Sequence, residues 1–327
     1  MNPRRPRIWV AQPLFAEALA PLAAHAELIV EPVEGVRSAA DMAAGLREAD
    51  AAIVTIGERV DAAAIAGAGR LKLVANVGVG YDNLDLAALH AAGIVATNTP
   101  DVLTETVADF AFALLLGAAR RVTEAERWLR EGHWQRWSFD RLLGTDAHGA
   151  TLGILGMGRI GQAIARRALG FRMPVLYHNR QALAADLEQA CGARWVDFET
   201  LLRESDHLVV ALPYTPATRH RIDAAALARM KPTAFLVNIA RGGVVDDAAL
   251  AAALAGGRLA GAALDVFEGE PAVHPGLLAA GNVVLTPHIA SASLATRRAM
   301  VAMAADNVLA ALGHGPSAGH PPNAITL

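Results

Sequence analysis

"TLGILGMGRIGQAIARRALGF", residues 151–171, decides how the rest of the chain is read. An apolar run ends at Gly156, Gly158 and Gly161 follow in G-x-G-x-x-G spacing, and an amphipathic stretch begins at once. The spacing alone is weak, because the chain holds 29 glycines and turns consume them. Its place between a strand and a helix gives it weight. Gly156 would allow a tight turn, Gly158 would let backbone approach a pyrophosphate, and Gly161 would let the helix pack on the strand. The phosphates would then lie at the helix N-terminus, where unpaired N–H groups and the helix dipole favour negative charge.

The next apolar run is "VLYHNR", residues 175–180. A dinucleotide-binding unit that takes NAD carries Asp or Glu about 20 residues beyond the first glycine, on the ribose 2'-hydroxyl. One that takes NADP uses arginine on the 2'-phosphate, which an acid would repel. Asn179 stands where the acid would, 23 residues past Gly156, and Arg180 follows. That exchange removes a repulsion and adds a charge-assisted contact of about 1.5–3 kcal/mol, roughly a 10 to 100-fold preference. The expectation is NADP(H) over NAD(H).

Outward from these two strands the chain alternates. "RIWVA", "AELIV", "AAIVTI", "LKLVANVG" and "GIVATN" precede the glycine turn; "HLVVALP", "AFLVNIA", "GAALDV" and "NVVLTP" follow "VLYHNR", with Ala-rich helical stretches between. Near-continuous apolar strands separated by helices imply parallel sheets covered on both faces, here two of them. Between the halves, a helical pattern runs from about Asp101 through "DVLTETVADFAFALLLGAARRVTEAERWLREG", with Thr104 as its expected cap and Gly132 its end, as one long helix or two. The final "GHGPSAGHPPNAITL" reads as loosely structured.

Length and composition agree with two globular domains: 327 residues, 54% hydrophobic, net charge −3. Neither nucleic acid nor an anionic membrane is expected as a partner without a clustered basic face. The start, "MNPRRPRIWVAQPLF", lacks a signal-peptide core, and the apolar run Phe110 to Ala119 falls below the roughly 18 residues of a membrane helix. A cytoplasmic location is expected. The single cysteine, Cys191, excludes an internal disulfide, and the histidines form no spaced ligand set, so no metal is expected.

Three later strand ends carry unusual polar groups: Arg241 in "VNIARGGVVDD", Asp265 and Glu270 in "AALDVFEGEP", and His288 in "VVLTPHIAS". Open parallel sheets bind ligands outside the carboxyl ends of their strands. Arg241, followed by two glycines that would let a ligand come close, suits a carboxylate. His288 can exchange a proton near neutral pH, with a carboxylate such as Glu270 to orient its ring. Any one of them alone reads as easily as a structural group. Together, behind a dinucleotide fingerprint, they supply what hydride transfer to a carbonyl needs: an electrophilic clamp and a proton donor.

The blocks "NVGVGYDNLDL", "NTPDVLTETVADFAFALLL", "GTDAHGATLGILGMGRIGQAIARRA", "LPYTPATRH", "KPTAFLVNIARGGVVDD", "LDVFEGEP" and "LTPHIAS" resemble, in order, the motifs of the D-isomer-specific 2-hydroxyacid dehydrogenase family, over essentially the whole chain. The "TPDVLTETVAD" segment and "YHNR" most resemble its NADPH-preferring glyoxylate, hydroxypyruvate and 2-ketogluconate reductase branch. The resemblance implies two Rossmann-like or flavodoxin-like domains, with a cofactor domain (102–291) inserted in a substrate domain (1–101 and 292–327). It implies an active site in the cleft, closed by a hinge. Arg241 would bind the carboxylate of a small 2-oxo acid and polarise its carbonyl, His288 would protonate the carbonyl oxygen, and Glu270 would partner His288. Backbone at Val77, Gly78 and Val79 would complete the carboxylate site. Asp265 would face the nicotinamide carboxamide, Thr106 and Val107 would touch the ring, and Arg159, beside Ile160, would lie on the pyrophosphate. The region after Thr104 would build a homodimer, with Trp134 and Trp137 either anchoring its core or walling the substrate, from the partner subunit in the latter case.

The reading is therefore an NADPH-dependent reductase giving D-2-hydroxy acids. Its siblings are NAD-linked dehydrogenases of the phosphoglycerate, formate or phosphite type, which Asn179 and Arg180 disfavour. From another class stands a dinucleotide-sensing, corepressor-like binding protein, which turnover of a 2-oxo acid would exclude.

Overall fold

The structure is a computed structural model and describes residues 4–326. The chain separates into two compact units, residues 1–103 with 292–327, and residues 104–291.

The first unit contains β1 (Arg7–Val10), α1 (Ala16–Ala23), β2 (Glu27–Val30), α2 (Ala39–Glu48), β3 (Ala51–Thr55), β4 (Leu73–Val77), α3 (Leu86–Ala91) and β5 (Val95–Thr97). Its sheet runs β2-β1-β3-β4-β5 with every pairing parallel. This is the flavodoxin-like order. β3 and β4, "AAIVT" and "LVANV", are almost wholly buried, which is why they read as apolar runs without alternation.

The second unit holds α4 (Thr104–Ala119), α5 (Val122–Arg130), β6 (Leu152–Leu155), α6 (Arg159–Gly170), β7 (Val175–His178), α7 (Ala185–Cys191), β8 (Ala193–Trp195), α8 (Phe198–Glu204), β9 (His207–Val210), α9 (Ala224–Arg229), β10 (Phe235–Asn238), α10 (Asp247–Ala255), β11 (Gly261–Leu264), α11 (Pro275–Ala279) and β12 (Val283–Leu285). Its seven strands run β12-β11-β10-β9-β6-β7-β8, all parallel. The order reverses between β9 and β6, so the first glycine turn leaves the sheet at the switch point where such sheets bind ligands. Among the described residues no helix is long and apolar enough to cross a membrane.

The last helix, α12 (Leu294–Ala311), belongs to the first unit, where it packs on β4 and α1. Its start is capped by Ser293, whose hydroxyl accepts from Thr296 N at 3.2 Å.

Of the two alternatives for the long helical pattern, the structure has two helices, broken where Arg121 takes φ +54°. Three details differ from the sequence reading. Thr104 is the first helical residue rather than a cap outside it. β8, "ARW", was not expected: three residues with two of them exposed give no apolar run. The tail is tied down, because Asn323 N donates to buried Asn307 Oδ1 at 3.1 Å and Ile325 N donates to Ala96 O at 2.8 Å beside β5.

Candidate active site

The carboxyl edge of the second sheet gathers the glycine turn after β6, the "HNR" turn after β7, and the loops after β10, β11 and β12. Each glycine of the turn has its own physical reason. Gly156 has φ +104°, and a Cβ there would lie 2.7 Å from Ala211 O. Gly161 packs its α-carbon on Gly156 O too closely for any side chain. Above Gly158 nothing lies within 4 Å of where a Cβ would stand. That open, exposed position is the N-cap of α6, which carries no side-chain cap and no acid in its first turn. The helix start is thus shaped and charged for an anion that approaches backbone, and the residues present fit a dinucleotide pyrophosphate. Arg159 is exposed and Ile160 half-buried at the same helix start.

Asn179 is not simply an uncharged stand-in for an acid. Its Oδ1 accepts from Met157 N at 2.7 Å, fastening the turn after β7 to the glycine turn. Gly156 N adds a second tie, to His178 O at 3.1 Å. Arg180 is exposed and makes no ion pair among the described residues.

His288 and Glu270 meet directly. His288 Nδ1 lies 2.8 Å from Glu270 Oε2, and Glu270 Oε1 accepts from Phe267 N at 2.9 Å. Burial pushes the Glu270 carboxyl up. The hydrogen bond and charge of His288, the Phe267 N–H and the charge of Arg241 outweigh this and hold it below the usual carboxylate range. With Nδ1 engaged by a carboxylate, Nε2 is the ring atom left for a substrate. The His288 backbone sits at φ +54°, a conformation non-glycine residues rarely adopt, held by N–H donation to Asp265 O (2.9 Å) and Thr286 O (3.1 Å).

Asp265 has no exposed surface. Its Oδ1 accepts from Thr286 Oγ1 (2.7 Å) and Ile289 N (2.8 Å), and its Oδ2 accepts from Ala290 N (2.8 Å). It acts through the loop that carries His288. The glycines after Arg241 also serve the protein. Gly242 lies against the Phe267 backbone with no room for a Cβ, and Gly243, at φ +76°, faces the Tyr214 ring. Arg241 itself is half-buried, its Nη1 donating to Ala240 O at 2.9 Å, and Asn238 braces its loop by accepting from Ala240 N at 3.1 Å.

Sequence reasoning missed His220. Its Nε2 lies 3.0 Å from both Glu268 oxygens, so the "LPYTPATRH" loop clamps the segment bearing Glu270. Trp134 and Trp137 are not core anchors of this chain, being 61% and 75% exposed.

In the first unit, Gly78 is buried, and its N–H turns to Asn76 O at 3.0 Å, while Val77 ends β4. Asn98 Nδ2 holds Val79 O at 2.8 Å, and the Val79 N–H has no acceptor among the described residues. Thr106 is half-buried and Val107 buried in the first turn of α4.

A dinucleotide turn sharing one sheet edge with a histidine–carboxylate pair and an arginine defines a dinucleotide-dependent oxidoreductase. The family model for the D-isomer specific 2-hydroxyacid dehydrogenase NAD binding domain matches residues 112–290. A glyoxylate reductase of Thermococcus onnurineus is 44% identical over 310 residues, 94% of this chain and 92% of the relative. One from Korarchaeum cryptofilum is 46% identical over 309 residues, 94% and 92%. The crystal structure of an NADPH-dependent glyoxylate/hydroxypyruvate reductase from Sinorhizobium meliloti, in complex with NADP and malonate, matches with a TM-score of 0.87 at 38% identity, covering 99% of this chain and 97% of that one. The chain belongs to the D-isomer specific 2-hydroxyacid dehydrogenase family. It is an NAD(P)-dependent enzyme that reduces 2-oxo acids.

Proposed function

We propose that the protein reduces a small 2-oxo acid such as glyoxylate, hydroxypyruvate or 2-ketogluconate to the D-2-hydroxy acid, with NADPH preferred over NADH. The observation that carries the reading is the 2.8 Å contact of His288 Nδ1 with Glu270, which fixes the ring and presents Nε2 as the proton donor. A bound reduced nicotinamide supplies the hydride for the carbonyl carbon. His288 Nε2 gives the carbonyl oxygen its proton, and Glu270 holds the ring through Nδ1. Arg241 holds the substrate carboxylate and polarises the carbonyl.

Residues 102–291 serve as the cofactor domain, with Gly156, Gly158, Arg159, Ile160 and Gly161 on the pyrophosphate and Thr106 near the nicotinamide. Residues 1–101 and 292–327 serve as the substrate domain. Asn179 and Arg180 favour the 2'-phosphate, in keeping with the NADP complex of the Sinorhizobium meliloti relative. Leu129, Trp134, Trp137, Phe139 and Leu143 are all more than half exposed, an apolar surface that suits burial in a homodimer.

The test is the initial rate of NADPH and NADH oxidation, side by side, with glyoxylate, hydroxypyruvate, 2-ketogluconate and phenylpyruvate. Faster NADPH turnover with one of the first three is expected. Turnover with NADH alone would remove the role given to Arg180, and no turnover with any pair would favour a dinucleotide sensor.

A further inference from the structure

We infer that Trp195 is a positioning residue for cofactor choice: its indole N–H holds the turn that presents Arg180 to a 2'-phosphate. The inference rests on the NADPH reading above. Trp195 ends the edge strand β8, 39% exposed, with its ring centroid 6.0 Å from that of His178. Its Nε1 donates to Asn179 O at 3.1 Å. Asn179 is the residue whose side chain fastens this turn to Met157 N of the glycine turn.

The far end of the same turn is pinned as well. Leu183 N donates to Tyr177 Oη at 2.7 Å, Tyr177 Oη donates to Glu188 Oε1 at 2.7 Å, and that same oxygen accepts from Trp195 N at 3.1 Å. Burial, with Glu188 adding to it, pushes the Tyr177 phenol up to about 12, so the donor is kept across the physiological range. Residues 179–183 therefore form a short exposed segment held at both ends, and Arg180 extends from it. Nothing else pairs with Arg180 among the described residues, so its position is inherited from the backbone. A long cation on a fixed backbone loses less freedom when it meets a phosphate. A ribose lacking that phosphate does not call on Arg180 at all.

The requirement is thus selective, which gives a readout that mere edge-strand packing would not. Trp195→Phe keeps the ring and removes the donor. By calorimetry, 2',5'-ADP should bind this variant about 3 to 10-fold more weakly, the effect of one lost hydrogen bond, while 5'-AMP binds within twofold of the parent. The KM for NADPH should rise in parallel, with kcat and the KM for NADH little changed. Arg180→Ala, measured alongside, should weaken 2',5'-ADP by more, and the double variant should be no weaker than Arg180→Ala alone, because Trp195 acts through Arg180. Equal losses for both nucleotides, no loss for either, or an additive double variant would overturn the inference while leaving the reading of Arg180 in place. An Arg180→Ala variant that binds 2',5'-ADP like the parent would instead overturn the NADPH reading, and the role of Trp195 with it. Trp195→Leu, which also removes the donor, gives the same test should the Phe variant fail to fold.

Discussion

Each of the two sheets feeds its first strand directly into a helix, and the two connections differ in the property that matters. After β1 the chain runs "AQPLF", with no glycine, into α1, whose first turn carries Glu17 in an ion pair with Arg298 at 2.7 Å. After β6 it runs through Gly156, Met157 and Gly158 into α6, whose first turn carries no acid. Neither helix has a side-chain cap. One start is closed to an anion by a carboxylate and by side chains; the other offers backbone N–H groups beneath open space. The two starts therefore differ in what the second leaves out: two β-carbons and a carboxylate charge.

The largest test of that contrast asks whether chemistry follows the glycine turn to its own sheet edge. His288→Gln should cut turnover with a 2-oxo acid by roughly 10² to 10⁴-fold while cofactor titration is unchanged. Undiminished turnover would detach the reaction from the β12 end. A second test separates glycines that serve the ligand from those that serve the fold. Gly158→Ala places its methyl group in open space, so the melting temperature should hold while dinucleotide affinity falls at least about tenfold. Gly161→Ala drives a methyl into Gly156 O and should lose about 1–3 kcal/mol in denaturant titration. If the two variants behave alike, the division of labour between them is wrong.

The smallest effect concerns acid. The Glu270 carboxyl is held below its ordinary value of 4.5, so its charged form stabilises the fold above that pH, and the contribution fades as pH falls through the lowered value. Thermal melts of the parent and Glu270→Gln, taken from pH 7 down to pH 3, should therefore converge at the acid end. A gap that widens toward low pH would reverse the sign.

Much of the fold was legible because it is local. Buried parallel strands such as "LVANV" and "FLVN" leave continuous apolar runs, and a glycine turn between strand and helix carries its meaning within a dozen residues. The site was legible only as a set of residue types. "LDVFEGEP" offers three carboxylates, and nothing in the string assigns them. Asp265 is buried holding the 286–290 loop, Glu268 meets His220, and Glu270 meets His288. Gly242 and Gly243 invited a ligand-based explanation and turned out to be packed on Phe267 and Tyr214. Trp195 lay on a strand too short and too polar to notice.

By itself, then, the sequence determined the strand–helix alternation, the parallel sheets and the dinucleotide turn, since periodicity, propensity and turn geometry act between neighbours along the chain. Tertiary structure decided which carboxylate orients His288, which one is buried, and which side chains brace the turns. Those pairings join residues that the order β12-β11-β10-β9-β6-β7-β8 brings to one edge, and a contact between distant segments exists only once that order has formed.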